Sequence, residues 1–218
     1  MPSFTLADLK QRVWDRVDNN VDLYPASEVT SELNEAICAY NLYTGVIQGY
    51  AHVPGYTIAN QVVYSVPTGI LVAQHVAFEG RTLSKVSIRK ISLLRRNWLT
   101  ETTTATGPVA RWVPIGIDTL AIHPADAVGG KDLLVSGIAE PTPLVDDADT
   151  ITLPDEDAEA IEELAGATIV LKEGGKAFAD VSLLYRRFLS TVKQKMLWQS
   201  AKLPRYWLLQ AAQKAEEA

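Results

Sequence analysis

The spacing of apolar residues changes twice along this chain, and those two changes restrict the fold more than any single motif. Near the start, "SFTLADLKQRVWDRVDNN" sets Leu6, Leu9, Val13 and Val17 three or four residues apart, as on one face of a helix. Thr5 and Asp8 open it like a capping box. "LYPASEVTSELNEAICAYNLYTG" repeats the pattern with Val29, Leu33, Ile37 and Tyr40 or Asn41, started by Pro25 and Ser27 and stopped near Gly45. The texture then becomes short Val- and Ile-rich runs: "VVYSV", "ILVAQHVAF", "KVSIRKISL", "VARWVPIG", "TLAIHP" and "KDLLVSGIAE". Glycines and prolines separate these runs, the pattern of an antiparallel sandwich or small barrel.

Helical spacing returns at Pro154. "LPDEDAEAIEELAGATIVLKEG" gathers acids in its first turn, where they complement the helix dipole, and then offers Ala158, Ile161, Leu164, Ala165, Thr168 and Leu171 as a face. After Gly174 and Gly175, "KAFADVSLLYRRFLSTVKQKMLWQS" carries Phe178, Val181, Leu184 or Tyr185, Phe188, Val192 and Met196. The expected fold is therefore α+β: a helical bundle formed by both chain ends, with an inserted antiparallel β-sandwich or barrel-like module and a C-terminal arm. The expected limits are 1–49 for the first two helices, 50–145 for the β module, 146–199 for the next two helices and 200–218 for the arm. "AFEGRTL" is expected to be a hairpin around Glu79 and Gly80, and Pro124 to Gly130 the turn of another. The threonine-rich 97–108 stretch is expected to be a long loop.

At 218 residues and 47% hydrophobic content the chain is long enough to bury an ordinary core. No apolar run approaches the roughly 18 to 20 residues of a membrane span, and no charged and apolar leader opens the sequence, so a cytoplasmic protein with no membrane partner is expected. The single cysteine, Cys38, has no partner for an intramolecular disulfide and lies beside a helical stripe, where it reads as a small hydrophobe.

Candidate chemistry is sparse. His123 and Asp126 are the one histidine and carboxylate close in sequence, but Pro124 and the glycines around them spell a turn in which Asp126 caps backbone amides. No G-x-S-x-G elbow accompanies them, and His52 and His75 have no metal-ligand spacing. "LKEGGKAF" lacks the first glycine and the final hydroxyl of a phosphate loop, and "DDADT" lacks the later glycine and glutamate of a calcium loop. No catalytic residue, cofactor or metal is expected, and the protein is not expected to be an enzyme.

The charges carry more information. The net charge is −6, which argues against a general nucleic-acid binder. Yet every charge from Glu140 to Glu163 is acidic, and every charge from Arg81 to Arg96 and from Val181 to Lys214 is basic. Glu159 and Glu162 on one side, and Arg89, Arg95, Arg96, Arg186 and Arg187 on the other, are candidates for complementary contacts between copies. Lys202, Arg205, Tyr206, Trp207, Leu208 and Leu209 form a short aromatic and basic cluster of the kind that anchors protein interfaces.

Taken in order, these segments resemble the head-to-tail adaptor (connector or neck) proteins of tailed bacteriophages, the short-tailed type in particular. The resemblance runs through "LADLKQRVWDRVDN", "LYPASEVTSELNEAICAYN", "VYSVPTGILVAQHVAFEGRTL", "RWVPIGIDTLAIHPADAVGGKDLLVSGIAEPTPL" and "TITLPDEDAEAIEELAGATIVLKEG". It implies a homo-oligomeric ring, commonly of twelve copies, in the neck of the virion and assembled in the host cytoplasm. Its implied partners are the portal protein, the tail tube or nozzle protein, and genomic DNA passing through the channel without sequence-specific contacts. The competing expectation is a β-sandwich binding module of a tail or baseplate, such as a carbohydrate binder.

Overall fold

The computed structural model describes residues 4–17, 22–100, 108–172 and 178–202. The chain is α+β, and it divides into two compact units: Gly45–Glu140, and the segments before and after it.

The flanking unit is helical. Helix α1 (Leu6–Arg16) begins with a complete capping box, in which the Thr5 hydroxyl accepts from the Asp8 amide and the Asp8 carboxylate accepts from the Thr5 amide. Leu6, Leu9 and Val13 are fully buried. Helix α2 (Ala26–Thr44) buries Val29, Leu33, Ile37, Tyr40 and Asn41, and the chain leaves it through Gly45 at φ +63°, a left-handed step that glycine makes without a Cβ clash.

After the β unit, the chain is pinned in this helical unit at two points. Asn34 of α2 exchanges a pair of hydrogen bonds with the backbone of Leu144, at 2.9 and 2.8 Å. Thr150 then forms a β-bridge with Thr5, while the Leu6 amide donates to the Asp149 carbonyl at 2.8 Å. One 3₁₀ turn at Asp155–Asp157 leads into helix α4 (Ala158–Leu171), which packs against α1, α2 and helix α5 (Phe178–Lys202).

Because α4 has neighbours on three sides, it is buried nearly all round. Ala160, Glu162, Glu163 and Ala167 are covered as well as the expected Ala158, Ile161, Leu164 and Ala165, whereas the expected Leu171 is 45% exposed at the last turn. Among the described side chains of α5, Val181, Phe188 and Val192 are buried and Tyr185 and Met196 face outward, while the expected Phe178 lies outside the described side chains.

Among the described residues, the unit between Gly45 and Glu140 holds two four-stranded sheets, which do not close into a barrel. Strands β1 (Gln48–His52), β2 (Val63–Ser65), β3 (Ile70–Phe78), β4 (Arg81–Thr82), β5 (Ser84–Lys85), β6 (Arg111–Pro114), β7 (Thr119–His123) and β8 (Leu133–Ala139) give one sheet of order β1-β8-β3-β4 and one of order β2-β7-β6-β5. All pairings are antiparallel except β5 with β6. The β3–β4 hairpin turns at Glu79 and Gly80, both at positive φ, as a two-residue primed turn requires.

Two expectations fail here. "KVSIRKISL" is not a strand: after the two-residue β5 it forms helix α3 (Ile88–Leu94). The Ser87 hydroxyl accepts from the Lys90 amide, which starts the helix, and the apolar alternation of Val86 and Ile88 gives way to a three-residue step to Ile91. Nor is Pro124–Gly130 a hairpin turn, because β7 and β8 belong to different sheets. The segment between them crosses from one sheet to the other and bonds instead to the 53–60 stretch: Thr57 N donates to Lys131 O, and Gly130 N to Thr57 O, at 2.9 and 2.7 Å.

Residues of both sheets share one apolar core, including Tyr64, Val76, Trp112, Leu120, Ile122, Leu133 and Val135. A second cluster, Val62, Ile91, Trp98, Val113, Ala121 and Ala125, covers the opposite face of β6 and β7. Covered on both sides, β7 reads in sequence as a continuous apolar run.

Candidate assembly surfaces

The turn at His123 and Asp126 is scaffold. Asp126 is buried and its carboxylate is fully engaged: it accepts from the Thr57 hydroxyl at 2.6 Å and from the Val128 and Gly129 amides at 3.1 and 3.0 Å. Thr57 in turn accepts from the Lys131 amide, so the two loops are tied by side chain and backbone together. His123 is buried with its ring edge-on to Trp98 at 6.5 Å. A histidine and a carboxylate also meet elsewhere: His52 Nδ1 lies 2.6 Å from Asp132, at the solvent-exposed end of β1. Among the described residues no group of three His, Cys, Asp or Glu is placed to hold a metal ion, and no helix is long and apolar enough to cross a membrane.

The acidic stretch is partly consumed inside its own unit. Glu162 is fully buried between two guanidinium groups of α1, with Arg12 and Arg16 each 2.9 Å away. Burial pushes its carboxyl up, and the Arg16 hydrogen bond with the two positive charges pulls it partly back. Glu162 was expected at a contact between copies, but its charge is spent within the chain. The sequence signal for this pairing is the four-residue step from Arg12 to Arg16, which stacks both on one side of α1.

Glu163 is also buried and is raised by that burial, with Arg16 and Arg187 opposing. Asp157 lies under Lys195 of α5, which also reaches Glu156, at 2.8 and 2.7 Å. Burial draws the Lys195 ammonium down, but its hydrogen bonds to Asp157 and Glu156 leave it above its ordinary value. Across the same cluster, burial and the facing Asp157 hold the Tyr40 phenol far above its usual range. Lys172 ties the end of α4 to Glu28 and Glu32 of α2, and Lys10 of α1 pairs with Asp147.

What remains at the surface is a shorter acidic face. Glu159 is exposed in the first turn of α4, and Asp146 and Asp147 are exposed on the return segment next to Val145, which is 74% exposed. Asp149 shapes this segment: its carboxylate accepts from the Val145 and Asp146 amides at 2.8 Å each, which lowers its pKa.

Most of the basic candidates lie on two helices. Arg89 sits on α3, with Arg95 as its C-cap and Arg96 just beyond; all three are exposed. Arg186 and Arg187 are exposed on α5. Lys202 is the last residue of α5, and Arg205, Tyr206, Trp207, Leu208 and Leu209 lie outside the described residues, as does most of the 97–108 loop. Trp98, at the start of that loop, is buried and donates from Nε1 to the Ser92 hydroxyl at 3.2 Å.

No curated protein matches this chain. A family model, described as SU10 adaptor protein, matches residues 4–207 and so spans both compact units. A match of that extent identifies the chain as a bacteriophage adaptor protein of the SU10 adaptor family.

Proposed function

We propose that this protein is a head-to-tail adaptor of the short-tailed type, which assembles as a closed ring of about twelve copies between the portal and the tail tube or nozzle. It acts as a structural part of the virion neck, assembled in the host cytoplasm, and the ring leaves a channel through which genomic DNA passes without sequence-specific contacts. The family match over residues 4–207 carries this reading. The packing of α4 against α1, α2 and α5 and the apolar core shared by the two sheets support it, with the chain-end helices read as a bundle, the two sheets as a sandwich, and each compact unit serving a different neighbour.

Ring closure requires two different, complementary faces on each copy. The unequal division of charge supplies the means: Gly45–Glu140 has eight basic and six acidic residues, and the remainder of the chain twelve basic and twenty acidic. Lys202, Arg205, Tyr206, Trp207, Leu208 and Leu209 form an arm that reaches the portal or an adjacent copy. Negative-stain imaging of the purified protein with portal tests the proposal. Stacked rings are expected, and separate copies that ignore portal would overturn it.

A further inference from the structure

Helix α5 keeps an apolar stripe out of its own core. Val181, Phe188 and Val192 are buried where α5 packs on α2 and α4. Tyr185, Leu189 and Met196 follow one another at steps of four and seven residues, which sets them within about 40° of each other round the helix. They run for about 16 Å along it, and each is between 39% and 49% exposed. The stripe joins α2 at one end: the buried Phe188 ring lies 6.2 Å from both Tyr185 and Tyr43, and Tyr43 is 50% exposed. Arg186 and Lys193, seven residues apart and both exposed, border the stripe on its solvent side. Among the described residues neither is ion-paired, whereas Lys172 and Lys195 of the same unit are. An apolar strip with a basic border fits a short apolar segment that also carries acids.

The chain itself has such a segment. Sixteen residues follow Lys202, and after Pro204 and Arg205 they bring Tyr206, Trp207, Leu208 and Leu209 in succession. The charges beyond that cluster are Lys214, Glu216 and Glu217, so the far end is acidic, while α5 between Val181 and Lys202 has five basic residues and no acid. Fully extended, sixteen residues span up to about 55 Å, more than the roughly 38 Å of α5 itself. The segment is therefore long enough to leave its own helix and lie on another.

We propose that residues 203–218 of one copy dock on the α5 stripe of a second copy. Tyr206–Leu209 cover Tyr185, Leu189, Met196 and Tyr43, and Glu216 and Glu217 meet Arg186 and Lys193. Each copy then gives one segment and receives one, a contact that repeats head to tail. This rests on the ring reading and names the seat of the arm; the rival seats are portal and the arm's own α5.

Two full-length variants test it: Leu189→Arg with Met196→Arg spoils the seat, and Trp207→Ser with Leu208→Ser spoils the segment. Leu189 and Met196 are exposed, and circular dichroism with thermal melting checks that each variant folds. Sedimentation velocity gives the oligomeric mass, with portal and without it. Wild type should assemble, and each variant alone should need at least about tenfold higher concentration, the effect of losing an interface anchor. An equimolar mixture should stop at pairs, because the intact segment of the first variant fits the intact seat of the second and the remaining ends match nothing. If wild type assembles and the seat variant does so equally well, or if the mixture gives no pairs, the seat is wrong and the ring reading stands. Variants that melt lower yet assemble normally would place the segment on its own helix and overturn the proposal in the same way. If wild type remains a single copy under every condition, both fall. Arg186→Glu with Lys193→Glu should also weaken assembly, and adding Glu216→Lys with Glu217→Lys to the same chain should restore it. Assembly that is unchanged by the first pair, or not restored by the second, counts against the proposal.

Discussion

Glu162 and Glu163 are adjacent in sequence and equally acidic, yet only the first faces two arginines. Glu163 is buried with its nearest opposing charges acting at longer range, so its ionised form is held at a cost in the folded protein. Its folded pKa lies above the ordinary value of 4.5, which means that the cost is fully present above the raised value and is relieved as the pH falls through it. Glu163→Gln should therefore raise the melting temperature at about pH 7.5, with a smaller gain at about pH 5. A variant that melts lower at both would show that the charge is better solvated than its burial implies. Glu162→Lys should behave in the opposite way. A cation placed between Arg12 and Arg16 should destabilise the helical unit by about 3 kcal/mol or more, measured by urea denaturation. The sequence shows a run of acids on a helix start, and that was legible. Which acids the fold consumes was not, because the arginines that take up Glu162 lie about 150 residues away in the chain, where spacing gives no information.

Helices α1 and α2 could be read from spacing and caps because their signals are local: a side chain three residues from its capping amide, and a stripe every three or four residues. The same holds for the β3–β4 hairpin. Helix α3 was misread because seven residues give barely two turns, too few to separate a helical period from a short strand. The Pro124–Gly130 segment was misread for a different reason: turn residues show that the chain bends and not which sheet it enters next, a choice made by Thr57 and Asp126 from distant segments. Sheet pairing also explains a glycine whose role the sequence leaves hidden. Gly137 of β8 sits between Gly49 of β1 and Ala73 of β3, where β3 is irregular, and a Cβ there would come within 2.0 Å of the Val72 carbonyl oxygen. Gly137→Ala must push the strands apart, and a loss of about 1–3 kcal/mol is expected in chemical denaturation. Gly116→Ala is the control, since a Cβ there meets nothing within 4 Å. Its effect should stay within about half a kcal/mol.

For the whole molecule, division into helical ends and a β centre was visible in the changing period, whereas the surfaces available for assembly emerge only after internal pairing is subtracted. The C-terminal cluster is a further candidate surface, and it lies outside the described residues. Helix α5 runs to Lys202, and Tyr206, Trp207, Leu208 and Leu209 follow within seven residues, so along a fully extended chain they lie at most about 25 Å from its end. Four large apolar residues in succession cannot bury one another within so short a segment, and the arm reading gives them a second protein surface. Truncation after Lys202 separates an arm from a core element. As an arm, its loss should leave helical content unchanged and shift the melting temperature by no more than about 2 °C, while abolishing binding to portal or the formation of rings. A truncated chain that unfolds would assign the cluster to the core of its own helical unit, and one that folds and still assembles would leave the arm without a role in the ring.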